Sequence, residues 1–334
     1  MPWGRSRGRR DAGLAPMPDR TRCHRSRFRR TAAPAYVPSA CAASHSYVTT
    51  RPRLPRLPGC VTFIPWRHSR RPFVGARMDL QLHGKTAIVT GGGSGLGKHI
   101  ALALAEEGAD VVIASRDRSR LGRVAHQIAD ATGRRVIPIA YDITDRRLVA
   151  AMVDAAAREL GRIDILVNNG APAGGGGGLP LAHTTDELVL ENLDVKSVGY
   201  LRCIRAVAPH MLRQRFGRIV NIAGMAARYS GAIAGGMRNA AVVVMAKNVA
   251  DQLGPHGIAV TTVHPGGIWT DESSDWIEND RRGTRLSSYG EGDENAIRRA
   301  ITPRDLANVV LFLCSPHAAA VTGEAISVAG GGEY

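Results

Sequence analysis

From residue 86 onward, short apolar runs alternate with longer segments whose apolar residues recur every three or four positions. The runs Thr86–Thr90, Asp110–Ala114, Arg135–Ala140, Ile163–Asn168, Arg218–Ile222, Ala259–Val263 and Ala325–Val328 predict seven strands. Between them, segments 96–108, 117–132, 145–160, 185–214, 235–254 and 303–315 predict helices. Such alternation implies an α/β fold, a doubly wound seven-stranded parallel sheet with helices on both faces. No break in composition interrupts 78–334, so a single domain is expected there. Ligands of such sheets sit beyond the C-terminal strand ends, which makes the residues just after each strand the candidates for function.

Composition changes the picture at the N-terminal end. The chain has 334 residues and a formal charge of +15. Residues 1–77 hold 17 arginines and two aspartates, and the remainder balances 27 cations against 27 acids. The predicted domain therefore has no general affinity for polyanions, and nucleic acid is an expected partner only through the extension. Ten of the 18 prolines also fall in residues 1–77, which show no periodicity. Such a segment buries too little apolar surface to offset its chain entropy, so disorder is expected. Three readings stay open: an upstream stretch preceding a true start at Met78, a targeting segment, or a basic tail for nucleic acid or anionic lipid.

The five cysteines show neither metal nor disulfide spacing. Cys203 and Cys314 sit in apolar helical patterns and read as reduced, buried thiols of a cytoplasmic protein. No run approaches about 18 apolar residues, so no membrane span is expected.

The sharpest chemical signal is Thr90-Gly91-Gly92-Gly93-Ser94-Gly95-Leu96-Gly97, placed between the first strand and the first helix. Glycines let the backbone turn tightly and approach a pyrophosphate, and the helix N-terminus supplies free N–H groups and the positive end of its dipole. Gly91, Gly93, Ser94, Gly95, Leu96 and Gly97 are therefore candidate nucleotide contacts.

Further landmarks follow in order: Tyr141-Asp142-Ile143, Asn168-Asn169-Gly170-Ala171, Ile219-Val220-Asn221-Ile222, His264-Pro265-Gly266-Gly267-Ile268-Trp269-Thr270 and Thr322-Gly323-Glu324-Ala325-Ile326. With them the chain resembles the short-chain dehydrogenase/reductase family over nearly all of 80–332. The resemblance implies a Rossmann fold. It places Asp142 and Ile143 at the adenine, Asn169, Gly170 and Ala171 at the nucleotide ribose, and Pro265, Gly266, Ile268 and Thr270 at the nicotinamide. NAD-preferring members end the second strand in an acid that accepts from the ribose 2′-OH. Here the strand ends in Ser115-Arg116, and a guanidinium suits a 2′-phosphate, so NADP(H) is expected over NAD(H).

One part of the family pattern is absent. Members carry Tyr-x-x-x-Lys on the helix after the fifth strand, and no Tyr of this chain has a Lys four residues later. Aligned from Lys247, Ala250, Leu253, Gly254 and Pro255, the Tyr position falls on Gly235 and the Lys position on Asn239. The family's Ser becomes Ala223 or Gly224, and its Asn becomes Lys196. Two of these changes form an exchange, so Lys196 is expected to restore an ammonium near the nicotinamide ribose beside Asn239. Arg238 is an alternative for that role, and Tyr229, in the loop after the fifth strand, is a candidate for the missing tyrosine. The run Gly174–Gly178 and residues 271–298 are expected to form the loop and lid over the substrate, with Trp269 and Trp276 as apolar walls.

The function these features imply is an NADP-dependent oxidoreductase that transfers hydride to or from a carbonyl, alcohol or activated alkene of a small molecule. A nucleotide-binding protein without turnover, a sensor or scaffold, is the alternative. Loss of a general acid costs about 10²–10⁴-fold unless another group supplies the proton. The helices at 185–214 and 235–254 are the expected interface of a homodimer or homotetramer.

Overall fold

The computed structural model describes residues 78–170, 178–268, 270–282 and 295–331. Ala171, Trp269, Gly174–Gly177 and the expected disordered segment 1–77 lie outside the described residues. Seven strands form one parallel sheet: β1 (Thr86–Thr90), β2 (Asp110–Ser115), β3 (Val136–Ala140), β4 (Ile165–Asn168), β5 (Gly217–Ile222), β6 (Ile258–Pro265) and β7 (Ala325–Val328). Their order is β3-β2-β1-β4-β5-β6-β7. The order reverses between β1 and β4, which opens a crevice beyond their C-terminal ends.

Alternation along each strand sorts side chains between two cores. Ala87 and Val89 of β1 enter one core, together with α1 (Gly95–Glu106) and α2 (Arg118–Thr132). Ile88 of the same strand enters the other, with α3 (Arg146–Leu160), α5 (Gly199–Gln214) and α6 (Ile233–Leu253). Period-two alternation and helices on both faces account for a sheet buried on each side.

Local chemistry sets the helix ends. Asp117 accepts from the Arg120 amide at the start of α2, and Asp145 caps α3. Both helices stop at glycines in the left-handed region, Gly133 (φ 69°) and Gly161 (φ 76°), which costs a residue without Cβ little. Helix α8 (Pro303–Cys314) begins with a reciprocal cap between Thr302 and Asp305 and a proline in its first turn.

The segment 185–214 is not one helix. It divides into α4 (Asp186–Asn192), a π-helical turn over Leu193–Val198, and α5. The wide turn leaves the Asp194 carbonyl for the Arg202 guanidinium, which also pairs with the Asp194 carboxylate at 2.6 Å. Part of the expected lid is itself helical, α7 (Trp276–Arg282). Trp276 is not a substrate wall: it is 2 % exposed, packs edge-on against His99 at 5.1 Å, and donates its Nε1 hydrogen to Gln127. Cys203 and Cys314 are free and buried. Among the described residues, no helix is long and apolar enough to cross a membrane.

Candidate active site

The carboxyl ends of the strands open into a cleft of about 960 Å³. Hydrogen bonds between strand ends hold its floor in register. The Thr90 hydroxyl at the end of β1 accepts from the amides of Asn169 (2.9 Å) and Gly170 (3.0 Å). Asn168 and Asn221, opposite each other on β4 and β5, are joined by an Nδ2–Oδ1 hydrogen bond of 2.9 Å.

The glycine turn enters this cleft at the start of α1. Gly91, with φ 66°, packs so closely on β4 that a Cβ there would lie 2.9 Å from the Gly170 Cα. Gly95, with φ 54°, faces open space. Gly91, Ser94, Gly95 and Leu96 line the cleft, whereas Gly93 and Gly97 do not. Those two act by close approach. A Cβ at Gly93 would sit 3.3 Å from the Ser115 hydroxyl, and one at Gly97 would fall on the Gly91 carbonyl and 2.6 Å from Asn169 Nδ2. The absent side chain at Gly97 lets the start of α1 lie against the turn that follows β1 and the end of β4, and the one at Gly93 leaves room for Ser115 and Leu121.

At the far rim, Ser115 and Arg116 line the cleft beside Asp142 and Ile143. Arg116 is exposed and does not pair with Asp117, whose carboxylate caps α2. Hydrogen bonds from Thr144 hold the Asp142 pKa below its ordinary value, and the charge of Arg116 contributes. Asn169, Gly170, Pro265, Gly266 and Ile268 line the remaining wall, and Thr270 does not reach it.

The cleft brings together all four candidate proton-handling residues, Lys196, Tyr229, Arg238 and Asn239. Lys196 lies on the π-helical turn, a distortion that often marks functional positions. Its Nζ donates to the Ala223 carbonyl at 2.7 Å. Burial lowers its pKa to about 7, helped by the Arg238 guanidinium. Arg238 and Asn239 are also buried, and Tyr229 is half exposed at the rim. The Ser197 hydroxyl donates to the Arg238 carbonyl and ties this turn to α6. His264 has a structural place: it is buried, with Nδ1 2.8 Å from the Gly224 carbonyl.

Sequence reasoning missed one contact at the turn. Glu272 accepts from the Gly95 amide and pairs with Lys98, which also donates to the Asp271 carbonyl. A lysine in the first turn of a helix sits against the dipole. That position was the available hint that an acid lies nearby.

These residues fit a dinucleotide phosphate. The glycine turn leaves open space at Gly95, and the first helical amide already holds an anionic oxygen. Comparison with known proteins agrees. The family model described as Enoyl-(Acyl carrier protein) reductase matches residues 91–333. The 7alpha-hydroxysteroid dehydrogenase of Escherichia coli (strain K12) is 36% identical over 257 residues, covering 76% of this chain and 96% of that protein. The L-sorbose reductase of Gluconobacter frateurii, solved with NADPH and L-sorbose, aligns with a TM-score of 0.66 at 29% identity, over 76% of this chain and 98% of that one. A 7 alpha-hydroxysteroid dehydrogenase solved with NADH and 7-oxo glycochenodeoxycholic acid aligns with a TM-score of 0.66 at 34% identity, over 76% and 96%. The chain belongs to the short-chain dehydrogenase/reductase family. It is an oxidoreductase of that family's nicotinamide-dependent type.

Proposed function

We propose that the protein is an NADPH-preferring reductase of a small carbonyl compound or activated alkene, working without the family's Tyr-x-x-x-Lys pair. Arg116 carries the cofactor preference. It directly follows β2 on the cleft wall, and β2 ends in Ser115 rather than in an acid that would accept from a ribose 2′-OH. Its always-charged, forked guanidinium suits a 2′-phosphate, with Ser115 beside it.

The remaining roles follow the cleft from that end. Asp142 and Ile143 border the adenine. The α1 N-terminus, with Gly91, Ser94, Gly95 and Leu96, holds the pyrophosphate, and Gly93 and Gly97 shape that turn. Asn169, Gly170 and Ala171 hold the ribose. Pro265, Gly266 and Ile268 orient the nicotinamide, which supplies the hydride, and Thr270 follows them in the chain beyond the cleft wall. Lys196 and Asn239 exchange the family's Asn and Lys positions, with Arg238 adding positive charge and Tyr229 facing the entrance.

Two further readings accompany this one. Exposed Met237 and Val244 on α6 support self-association into a homodimer or homotetramer. A cytoplasmic location agrees with the two buried free thiols.

Calorimetry of NADPH and NADH on the full chain and on Arg116→Asp tests the cofactor reading. Micromolar NADPH binding that weakens at least tenfold in the variant, with NADH gaining, is the expected outcome. Equal affinity of the wild-type chain for both nucleotides rejects the preference.

A further inference from the structure

Carbonyl reduction needs a proton as well as a hydride, and few groups on this cleft can release one. Tyr229 is half exposed at the rim. Desolvation, with Cys203 adding, holds the Tyr141 phenol well above its ordinary range. Tyr200 does not line the cleft, and its hydroxyl is committed to the Ile222 carbonyl at 3.0 Å. His264 does not line it either. Of the three carboxylates on the cleft, Asp142 has its pKa held low, Asp194 is paired with Arg202 and Glu191 is exposed to solvent.

Lys196 differs from all of these. It is 6 % exposed yet lines the cleft. The Ala223 carbonyl, at the position that follows β5, is its one hydrogen-bond partner among the described residues. That leaves ammonium hydrogens uncommitted. We infer that Lys196 is the proton donor of this active site, replacing the family's tyrosine, an inference that rests on the nicotinamide reading above.

The surroundings support a proton that leaves readily. Lys196 is faced by Arg238 from α6, by the Tyr200 ring from α5 with its centroid 6.0 Å from Nζ, and by His264 from β6. No carboxylate among the described residues acts on Nζ, so burial and Arg238 set its acidity near neutral pH. The step balances. The carbonyl carbon takes the hydride, its oxygen takes a proton from Nζ, and the neutral amine regains a proton from solvent. Reduction needs the ammonium, so its rate holds below the Lys196 pKa and falls as pH rises through it. Alcohol oxidation needs the neutral amine and shows the opposite profile.

The test exploits composition, because the whole chain has only four lysines, Lys85, Lys98, Lys196 and Lys247. Carbon-13 at lysine Cε in the full-length protein reports each ammonium without any substrate. One signal should titrate with a midpoint near 7 and be missing from Lys196→Met. A wild-type spectrum in which every signal titrates above about pH 9, near the ordinary lysine range, overturns the inference.

Proton transfer is then read with NADPH and three probes, benzaldehyde, cyclohexanone and cinnamaldehyde. Wild-type turnover should fall above neutral pH. Lys196→Met should lose about 10²-fold or more and its pH dependence, and Lys196→Arg should not restore them. A Lys196→Met variant that keeps the wild-type rate and profile overturns the proposal. If NADPH binds and no probe is reduced, the titration alone decides. Absence of NADPH binding rejects the nucleotide reading and is distinct from either titration result.

Discussion

The Glu272 carboxylate accepts a hydrogen bond from the Gly95 amide at 3.2 Å and lies 3.4 Å from the Lys98 ammonium. It therefore occupies the anion-binding end of α1, where the proposed function places a pyrophosphate. Burial lowers the Lys98 pKa and Glu272 opposes that shift. A nucleotide must take over both partners of this carboxylate. Glu272→Gln should tighten NADPH binding two- to fivefold, because an ion pair whose carboxylate remains half exposed is worth about 1 kcal/mol. Calorimetry showing unchanged or weaker binding would sink the competition.

Gly97 and Gly122 are both helical glycines, and alanine should act oppositely at the two. By helix propensity alone each gains about 1 kcal/mol. A Cβ at Gly122 meets nothing within 4 Å, so Gly122→Ala should raise Tm. At Gly97 it strikes the Gly91 carbonyl and Asn169, so overpacking of about 1–3 kcal/mol wins. Gly97→Ala should lower Tm and abolish nucleotide binding. Thermal melts of the two variants moving in the same direction would refute this.

Asp280 fastens α7 to the rest of the fold. Its side chain is 1 % exposed, with Oδ1 2.8 Å from His99 Nδ1 and Oδ2 2.5 Å from Arg304, which also reaches Glu106. Removing the carboxylate strands a buried imidazole and a partly exposed guanidinium. Asp280→Ala should cost about 2–4 kcal/mol, less than a fully buried pair because Arg304 still meets solvent. A urea midpoint equal to wild type would show that α7 is not held this way.

Asp305 provides a test by acid. The Arg299 guanidinium is the main cause of a carboxyl pKa of about 2, and the Thr302 cap adds to it. Since the folded value lies below the ordinary 3.8, this stabilisation is complete above about pH 4 and vanishes as pH falls through 2. Asp305→Asn should cost about 1 kcal/mol at neutral pH, discounted for partial exposure, and flatten the loss of Tm between those pH values. A variant with the wild-type acid profile would contradict the assignment.

Much of the architecture was legible in the chain. Strand positions came from apolar runs, because a sheet covered on both faces leaves little room for polar residues. The helices at 96–108 and 117–132 emerged within two residues of the predicted bounds, since Asp117, Gly133 and the glycine turn act locally. The break inside 185–214 was not legible, because it depends on Arg202 reaching back to Asp194 and Ile143 across a wide turn. Trp276 was misread for a related reason. An isolated aromatic in a lid says nothing about its partners, and these are His99, Lys98 and Gln127 from helices more than 140 residues away in sequence.

The division at the candidate site is similar. Local order along the chain determined the strand–turn–helix unit, the arginine ending β2, and the absence of any Tyr with a Lys four residues on. These depend on neighbours in sequence. Only the tertiary structure decided that neighbouring groups crowd Gly93 and Gly97, that Glu272 sits at the α1 N-terminus, and that Lys196 is buried against Ala223 under the field of Arg238. The physical reason is that steric closeness, desolvation and charge act through space. Residues 196 and 238 lie on separate helices, and their mutual effect on a proton exists only once the sheet has brought those helices side by side.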